Sequence, residues 1–395
     1  MVDEQIKKSQ VSSHFFFSHF FFSHFLLLFS HFFFSHVAKF PCRSRARAYC
    51  KPRGRPPPKS TRSMPFWSAA SVVRAAAARG TGLTGCVFVV TGASNGIGFE
   101  CAKALISGGP RAVVVAARPG SKATAAVATL EANAPTGTSV YLIDLDLGDL
   151  SSVRACASQI LALEDRDGKL PLHALINNAG LNGIPEWGVV TPGIETQFAV
   201  NCLGAFLLAE LLEERILSTP GGRVVQMASE AHRRVVSWTP PPPPKERYDP
   251  LHAYAYSNLI RILWTRAKAK RVSFPVVCLH PGVVGGTGML QHMTTRLVLR
   301  QVALVLRWEL RGILKGQRLE HVAACQTWAA VAPVEQVRAM SGGYLNGNRN
   351  PNVPAGATWD QIGDLGRVEL PSPLAQSDDL AEEVFECVAN LMASK

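Results

Sequence analysis

A short apolar run followed at once by a glycine-rich turn is the feature that most constrains this chain. Residues 86–90 read CVFVV and are followed by TGASNGIG at residues 91–98. A continuous apolar run of this length is typical of a strand buried on both faces of a sheet. Glycines at 92, 96 and 98 let the backbone turn tightly and approach an anion closely. The pattern predicts a strand, a pyrophosphate-binding turn and a helix, in that order.

Further apolar runs alternate with helical patterns along the rest of the chain. The runs lie at 112–117, 140–143, 174–176, 223–227 and 276–280. The helical patterns lie at 99–107, 121–133, 151–163, 196–217 and 254–271. Such alternation is typical of a parallel sheet with helices on both faces. We therefore predict one α/β domain, a doubly wound Rossmann fold, over residues 81–395.

The 80 residues before this domain differ in composition and predict a separate leader. Residues 12–36 repeat Phe, Ser and His, and residues 37–63 are rich in Arg, Ser and Pro. An apolar stretch followed by a basic one is typical of the two-part presequences of proteins sent to plastids with extra membranes. We predict targeting to a plastid or another organelle. An extension without function, on a cytoplasmic or membrane-associated protein, is the alternative. A short Ala-rich helix over 65–79 would lead into the domain.

The net charge of +12 does not by itself indicate nucleic-acid binding. No Asp or Glu occurs between Glu4 and Glu100, so much of the positive excess lies in the leader and not on a folded face. The chain has no zinc-ligand spacing and no aromatic-basic RNA motif, and its His-rich repeat fixes no metal geometry. We therefore expect neither nucleic acid nor a metal as a partner.

The nine cysteines are scattered and predict free thiols. They lie at positions 42, 50, 86, 101, 156, 202, 278, 325 and 387. Their odd number and the lack of a Cys-x-x-Cys pair argue against a disulfide framework. We expect small buried side chains without a catalytic role.

The end of the second predicted strand indicates which dinucleotide binds. Folds that bind NAD place an acid there, which accepts a hydrogen bond from the ribose 2′-hydroxyl. This chain has Ala117 and then Arg118. A guanidinium can bind a 2′-phosphate through two hydrogen bonds. Arg118 therefore predicts NADP rather than NAD; a solvated surface arginine is the alternative.

Further motifs occur in the order of a known family. They are INNAG at 176–180, VNCLGAF at 200–206, RVVQMAS at 223–229, HPGVV at 280–284 and SGGYLNGN at 341–348. Together with the G-x-x-x-G-x-G spacing of TGASNGIG, they resemble the short-chain dehydrogenase/reductase family. The last motif is similar to that of the retinol-dehydrogenase-like branch, which includes protochlorophyllide-reductase-like proteins. The resemblance covers roughly residues 80–350.

The resemblance implies hydride transfer between a nicotinamide and a carbonyl or alcohol. In this family a tyrosine gives or removes the proton, a serine hydrogen-bonds the reacting oxygen, and an asparagine anchors a water of the proton relay. A lysine binds the nicotinamide ribose, and its charge favours ionisation of the tyrosine. The matching residues are Tyr254, Ser229 and Asn201, with Asn258 in place of the lysine. The branch often handles lipophilic molecules, so a small lipophilic carbonyl or alcohol is the expected substrate.

The resemblance also implies the cofactor contacts. The pyrophosphate turn is matched by Gly92, Ser94, Asn95, Gly96, Ile97 and Gly98. The adenine-binding acid and its neighbour are matched by Asp146 and Leu147, and the contact near the adenosine ribose by Asn178, Ala179 and Gly180. The nicotinamide turn is matched by Pro281, Gly282, Val283 and Val284. Tyr254 and Asn258 would lie at the nicotinamide ribose. Structural roles are the alternatives for two residues: Asn201 as a bridge from a helix kink, and Ser229 as a strand-end cap.

The Tyr-x-x-x-Lys motif of the family is broken here. Residues 253–258 read AYAYSN, so Asn258 stands four residues after Tyr254. An amide can hydrogen-bond ribose hydroxyls but carries no charge. Two interpretations follow. One is an oxidoreductase that is weakened and biased toward reduction. The other is a catalytically impaired relative that binds cofactor as a sensor or scaffold.

A substrate lid is predicted at about residues 285–320, with a basic amphipathic helix over 296–315. Four arginines share one face of this helix: Arg296, Arg300, Arg307 and Arg311. A lid with a solvated charged face is one interpretation, and peripheral contact with anionic membrane lipid is the other. The sequence is also compatible with a homo-oligomer.

Restoring the lysine tests whether the missing charge weakens the chain. The charge-loss hypothesis predicts that Asn258→Lys raises turnover with NADPH, because a positive neighbour favours ionisation of Tyr254. NADPH oxidation with lipophilic aldehydes measures this, with Tyr254→Phe as the inactive control. Equal turnover in the variant and the parent chain would contradict the hypothesis.

Overall fold

A mostly parallel sheet of eight strands runs through the centre of the computed structural model. The structure describes residues 67–80, 82–191, 193–240, 245–282, 318–347 and 368–393. The strands are β1 (Val87–Thr91), β2 (Ala112–Ala117), β3 (Ser139–Asp144), β4 (Ala174–Asn177), β5 (Arg223–Met227), β6 (Val276–His280), β7 (Tyr344–Asn346) and β8 (Val368–Glu369). Their order is β8-β7-β6-β5-β4-β1-β2-β3, with β8 antiparallel to β7. The order reverses between β1 and β4, and ligands of doubly wound sheets bind at this reversal.

Helices cover both faces of this sheet. They are α1 (Ala69–Ala78), α2 (Gly96–Ser107), α3 (Ser121–Ala132), α4 (Leu150–Ala162), α5 (Gly204–Leu211), α6 (Pro250–Ala269), α7 (Leu319–Val331) and α8 (Asp378–Ala393). Shorter helical segments are Thr196–Phe198, a π-helical turn Ala199–Leu203, Glu213–Leu217, Val334–Arg338 and the 3-10 turns Glu230–Arg234, Lys245–Arg247 and Leu374–Gln376. Two small hairpins pair Glu164–Asp165 with Gly168–Lys169, and Val189–Thr191 with Ile194–Glu195.

Two apolar cores lie on opposite faces of the sheet. Val224 packs into the core formed with α4, α5, α6 and α8, whereas its neighbour Val225 packs into the core formed with α1, α2, α3 and α7. Successive side chains of a strand point to opposite faces, so strands between two helix layers need apolar residues at nearly every position. This explains the continuous apolar runs and confirms the predicted α/β Rossmann fold.

The six strands predicted from the apolar runs are all present, each within one residue of its predicted ends. The helix predicted over 196–217 is instead broken into four segments, with the π-helical turn near its start. The helix predicted from residue 254 begins earlier, at Pro250. There Asp249 accepts hydrogen bonds from two first-turn N–H groups, and proline fits the first helical position because its missing N–H has no intrahelical partner there.

The packed core includes residues before residue 81, the predicted start of the domain. Val72, Val73 and Ala76 of α1 are buried in the same core as α2 and α7. A capping box starts this helix, since Ser68 and Ser71 exchange side-chain to backbone hydrogen bonds. The Ala-rich helix predicted over 65–79 is therefore part of the domain and not of a leader.

The C-terminal helix α8 covers the outer side of α6. Phe385 stacks on Trp264 with ring centroids 6.5 Å apart and lies 4.1 Å from the guanidinium carbon of Arg271. Arg266 forms an ion pair of 2.6 Å with Asp378 beside them. As a result α6 has buried residues on every side.

Several expectations fall outside the described residues. These are residues 1–66 of the leader predicted over 1–80, with its targeting role, the arginines of the predicted lid helix, and Val283 and Val284. Within the described part of the chain, seven cysteines are free and no group of residues could hold a metal ion. No described helix is long and apolar enough to cross a membrane.

Replacing the residue that caps α6 tests how strongly this helix start is fixed. Asp249 accepts from Leu251 N at 3.0 Å and from His252 N at 2.8 Å. We expect Asp249→Ala to lower the free energy of unfolding by about 1 kcal/mol, because it removes both acceptors. Urea denaturation measures this. Asp249→Asn keeps an acceptor and should lose less, so equal losses in both variants would contradict a capping role.

Candidate active site

Six of the predicted site segments follow the carboxyl ends of parallel strands. The segments and strands are Gly92 after β1, Arg118 after β2, Asp146 after β3, Asn178 after β4, Ser229 after β5 and Pro281 after β6. Carboxyl ends of parallel strands share one edge of the sheet. The structure therefore brings the motifs to a common edge, although they are spread over about half of the sequence.

The glycine-rich turn has the conformation that its sequence predicts. Gly92 and Gly96 have φ of 69° and 63°, which favours glycine. Asn95 is the residue directly before α2, and its side chain forms no capping hydrogen bond with the residues that the structure describes. The first N–H groups of α2 can therefore serve an anion, which fits a pyrophosphate held by Ser94, Asn95 and Ile97.

The Asn-Asn-Ala-Gly segment braces this turn from the neighbouring strand. Asn178 Nδ2 donates to Thr91 O at 3.0 Å, and Ala179 N donates to Thr91 Oγ1 at 3.0 Å. Gly98 packs against the Asn178 amide, and a Cβ at Gly98 would also lie 2.8 Å from Gly92 O. The glycine at this position is thus required by close packing as well as by access to the anion.

The residues predicted for the adenosine end lie at the same edge. Arg118 is exposed and forms no ion pair with the described residues, so its guanidinium can bind a phosphate. Asp146 Oδ1 accepts from Gly148 N at 2.9 Å, which holds the turn after β3. Leu147 is buried, and its carbonyl lies against Gly204 at the start of α5.

Asn201 lies in the π-helical turn and ties it to the loop after β4. Its Oδ1 accepts from Leu181 N at 2.7 Å, and its Nδ2 donates to Leu181 O and to Ser257 Oγ, each at 2.9 Å. π-Helical turns inside helices are frequent at functional sites. The bridging role that we considered for Asn201 is therefore present, and its role in a proton relay stays a prediction.

Ser229 and Tyr254 come from two segments that pack together. Ser229 Oγ accepts from Ala231 N at 3.2 Å and caps the 3-10 turn, which packs against α6. Because Oγ is the acceptor in this bond, its O–H remains free to donate to a carbonyl oxygen. Tyr254 is 7 % exposed on α6, one turn after the helix start. The capping role considered for Ser229 and a role at the reacting oxygen are thus compatible.

Asn258 is buried and hydrogen-bonds within its own helix. Its Nδ2 donates to Tyr254 O at 2.7 Å. This bond uses one of the two amide hydrogens, so the predicted contact with a ribose depends on the remaining hydrogen and the carbonyl oxygen. Asn258 therefore links the two ends of the broken motif, without supplying a charge.

Arg261 was not identified from the sequence, although it holds the site together. Its Nη1 donates to Met227 O at 2.7 Å, its Nη2 donates to Ala179 O at 2.9 Å, and its Nε donates to Asn201 O. The three acceptors belong to three of the family motifs. A lone charged residue in the apolar run LIRILW, seven residues after Tyr254, was the available signal.

A second group of residues that was not identified from the sequence lies around the 3-10 turn after Ser229. Tyr344 Oη donates to Glu230 Oε1 at 2.6 Å, and Arg233 Nε donates to Glu230 Oε2 at 2.7 Å. His280 precedes Pro281, and burial lowers its pKa to about 4, so its imidazole is neutral. Gly282 has φ of 114°, which only glycine adopts readily. The bonds of Glu230 hold the 3-10 turn that follows Ser229 against β7.

Comparisons with known proteins agree with this geometry. A family model described as short chain dehydrogenase matches residues 86–241. Human retinol dehydrogenase 12 is 35 % identical over 313 residues, which cover 78 % of this chain and 87 % of that protein. Retinol dehydrogenase 12 of Mus musculus is 40 % identical over 67 % of this chain and 78 % of its own length. A WW domain-containing oxidoreductase of Danio rerio is 31 % identical over 78 % of this chain and 72 % of its own length.

Solved structures share the fold at lower identity. A short-chain dehydrogenase from Burkholderia cenocepacia in complex with NADP superposes with a TM-score of 0.52 at 23 % identity, covering 67 % of this chain and 97 % of that one. A blue fluorescent protein from a metagenomic library in complex with NADPH gives 0.51 at 23 % identity, covering 68 % and 99 %. With the motifs, the fold and these relatives, the chain belongs to the short-chain dehydrogenase/reductase family, in its retinol-dehydrogenase-like branch, and is an oxidoreductase.

Proposed function

We propose that this chain is an NADP-dependent oxidoreductase that interconverts a small lipophilic carbonyl compound and its alcohol, with Tyr254 as the proton donor or acceptor. The observation that carries the proposal is the shared edge of the sheet. It combines a phosphate-binding turn, a serine whose O–H is free to donate, and a tyrosine on the helix packed beside that serine. Dinucleotides bind at this edge of doubly wound sheets, and carbonyl chemistry needs a proton donor close to the bound cofactor.

NADP fits the residues at the adenosine and pyrophosphate ends. The N-terminus of α2 offers N–H groups to the pyrophosphate, and exposed Arg118 suits a 2′-phosphate better than the bare hydroxyl of NAD. Asp146 would hold the adenine, and Asn178 to Gly180 the adjoining ribose. Pro281 and Gly282 would hold the nicotinamide, which when bound would supply or accept a hydride.

The protein's own residues then handle the proton and the reacting oxygen. In the direction of reduction, Ser229 donates a hydrogen bond to the carbonyl oxygen, which orients it and stabilises developing negative charge. Tyr254 Oη then gives its proton to that oxygen as the alcohol forms. In oxidation the ionised side chain of Tyr254 accepts the proton of the alcohol. The buried setting of Tyr254 excludes bulk water from this transfer.

The substrate class is proposed from the named relatives. Retinol dehydrogenases 11 and 12 bear the name of a lipophilic alcohol. Among the described residues, the charged side chains of Glu230 and Arg233 lie beside Ser229 but pair with each other. Neither is left to bind a charged group of a polar substrate. A long apolar aldehyde or alcohol, such as a retinoid, is therefore the class to test first.

A second candidate is a relative that binds cofactor without catalysis and acts as a sensor or scaffold. The observation in its favour is the buried, uncharged Asn258 at the family's lysine position. The two candidates agree on cofactor binding and differ in turnover, which separates them.

NADPH oxidation with a panel of lipophilic aldehydes and ketones tests the proposed activity. We expect turnover by the parent chain and a loss of at least about 100-fold in Tyr254→Phe, because the variant lacks the proton donor. NADPH binding by fluorescence titration should be retained in the variant. Binding without turnover in the parent chain, across the panel, would favour the sensor or scaffold.

Replacing Arg118 tests the choice of cofactor. We expect Arg118→Asp to raise the Kd for NADPH by at least about tenfold, because it removes a charge-assisted hydrogen bond and adds repulsion, while NADH binding is kept or improved. Fluorescence titration with both cofactors measures this, and Arg118→Lys is the charge-conserving control. Equal weakening for both cofactors would contradict contact with the 2′-phosphate.

A further inference from the structure

The turn that carries Ser229 is joined to the C-terminal part of the chain through a histidine. We define the C-terminal strap as residues 368–377, which comprise β8 and the 3-10 turn Leu374–Gln376. His232 lies in the 3-10 turn after Ser229 and is fully buried. Its ring contacts Ser229 on one side and Ser372 of the strap, 140 residues further along the chain, on the other.

Both ring nitrogens of His232 face backbone groups of fixed polarity. Nδ1 lies 2.7 Å from Ser229 O, a carbonyl oxygen that only accepts. Nε2 lies 3.1 Å from Ser372 N, an amide that only donates. The two contacts are satisfied together only when Nδ1 carries the hydrogen and Nε2 is unprotonated. The geometry therefore requires the neutral Nδ1–H tautomer of His232.

The surroundings of His232 favour a neutral ring. Burial lowers the pKa of His232, because desolvation disfavours the imidazolium. The nearby charges oppose one another, since Glu230 and Glu369 favour the imidazolium whereas Arg233 disfavours it. The ring also packs edge-on against Tyr344, with ring centroids 5.0 Å apart, which restricts its orientation.

The 3-10 turn holds both side-chain and main-chain oxygens of Ser229. Ser229 O accepts from His232 N at 3.1 Å as well as from His232 Nδ1. Ser229 Oγ accepts from Ala231 N at 3.2 Å. The position of the serine hydroxyl therefore follows the position of this turn.

The strap is fastened to the same turn by further contacts. Arg233 Nη2 donates to Leu370 O at 2.9 Å. Within the strap, Gln376 Nε2 donates to Pro371 O at 2.9 Å, directly before Ser372. Ser372 is only 4 % exposed, so bulk water does not readily replace His232 as the acceptor for its N–H.

We infer that His232 is a positioning residue for Ser229, and that the C-terminal strap keeps its ring in the Nδ1–H form through the N–H of Ser372. His232 acts on the carbonyl group of Ser229 and, through the turn, on the direction of the hydroxyl. The inference rests on the proposed function for its catalytic meaning, because Ser229 there orients the reacting oxygen. A reacting group that is misplaced by about 1 Å can lose roughly 100-fold in rate.

Substitutions at His232 separate its two bonds. Asparagine places an amide N–H near the position of Nδ1, whereas glutamine extends to the position of Nε2. Phenylalanine keeps a ring and removes both bonds. His173 provides a matched control, because its Nδ1 accepts from Val87 N at 3.1 Å at the start of β1, at the opposite edge of the sheet from Ser229.

The first test reads the Ser229 carbonyl group by NMR and requires no turnover. Ser229–Glu230 is the one Ser-Glu pair in the sequence. Serine labelled at its carbonyl carbon and glutamate labelled at nitrogen therefore give a single peptide signal in the full chain. We expect His232→Phe and His232→Gln to move this signal, because the Nδ1 donor is lost. His232→Asn and His173→Phe should leave it in place. An unmoved signal in folded His232→Phe would overturn the inference.

The second test removes the contribution of the strap. In the full chain labelled at the histidine ring nitrogens, the signal that is missing from His232→Asn belongs to His232. We expect the Nδ1–H form in the parent chain, and a mixture of forms with a moved Ser229 signal in Ser372→Pro, because proline has no N–H. Ser372→Ala should change neither, since it keeps the N–H and Ser372 Oγ forms no hydrogen bond with the described residues.

The Nε2–H form of His232 in the parent chain would overturn the inference. A folded Ser372→Pro protein with both signals unchanged would overturn the role of the strap. If Ser372→Pro does not fold, the comparison of His232→Asn with His232→Gln decides, because the two side chains are polar and differ in the bond that they keep.

Turnover connects the position of Ser229 to catalysis. We expect His232→Phe and His232→Gln to lower kcat by at least about tenfold while KM for the aldehyde changes less than about threefold, because the oriented hydroxyl acts mainly in the transition state. His232→Asn should recover kcat to within about threefold of the parent chain. His173→Phe should keep the kcat of the parent chain.

Equal losses of kcat in His232→Asn, His232→Gln and His232→Phe would contradict a positioning role, since a role in packing alone does not distinguish the two amides. An inactive parent chain in which the Ser229 signal follows His232 as expected would refute the proposed activity and leave the positioning of Ser229 standing. The two failures are therefore distinguishable.

Discussion

The guanidinium of Arg261 ties together the parts of the site that the chain supplies from distant positions. Its three acceptors are a carbonyl of the Asn-Asn-Ala-Gly segment, one of the π-helical turn and one at the end of β5. Each of these peptides lies beside a residue with a proposed role, namely Asn178, Asn201 itself and Ser229. A single buried side chain therefore sets the spacing between the cofactor turn, the helix of Tyr254 and the serine.

This arrangement changes how the broken motif is understood. The Asn258 amide donates a hydrogen bond to Tyr254 O and is uncharged. The residue at the family's lysine position therefore forms a hydrogen bond but supplies no positive charge. Arg261, seven residues along the same helix, is a buried cation that binds three backbone carbonyl groups. Lysine and arginine differ in this respect, because the planar fork of arginine holds several acceptors at once whereas lysine is a mobile point charge.

Much of the fold could be predicted from the sequence because buried parallel strands leave a strong local signal. The runs at 112–117 and 223–227 match β2 and β5 to the residue. The glycine-rich turn was also predictable, since Gly92 and Gly96 adopt the conformation that their positions require. Non-local packing was not predictable. Helix α8 buries the outer side of α6, and α1 fills the core beside α2. The buried residues of both helices recur with helical period, but that period does not show which element each helix packs against.

The site residues also divide into those that could be predicted from the sequence and those that could not. Ser229, Tyr254 and Asn201 were found because each lies in a recognisable motif, whereas Arg261 was missed because its acceptors come from residues 179 to 227. Spacing along a helix shows which face a residue shares, but not which carbonyl groups from other segments lie opposite that face. The break in the helix over 196–217 was missed for a related reason, since the bonds of Asn201 to Leu181 that hold it are formed across the fold.

The most direct test of the account is to follow a labelled hydride. NADPH is deuterated at C4 of the nicotinamide, on one face of the ring or on the other. Each form is incubated with the full chain and a long apolar aldehyde. The account predicts deuterium on the carbinol carbon of the alcohol product, with transfer lost in Tyr254→Phe. Bound NADPH that gives no labelled alcohol from either deuterated face and any aldehyde tested would contradict it.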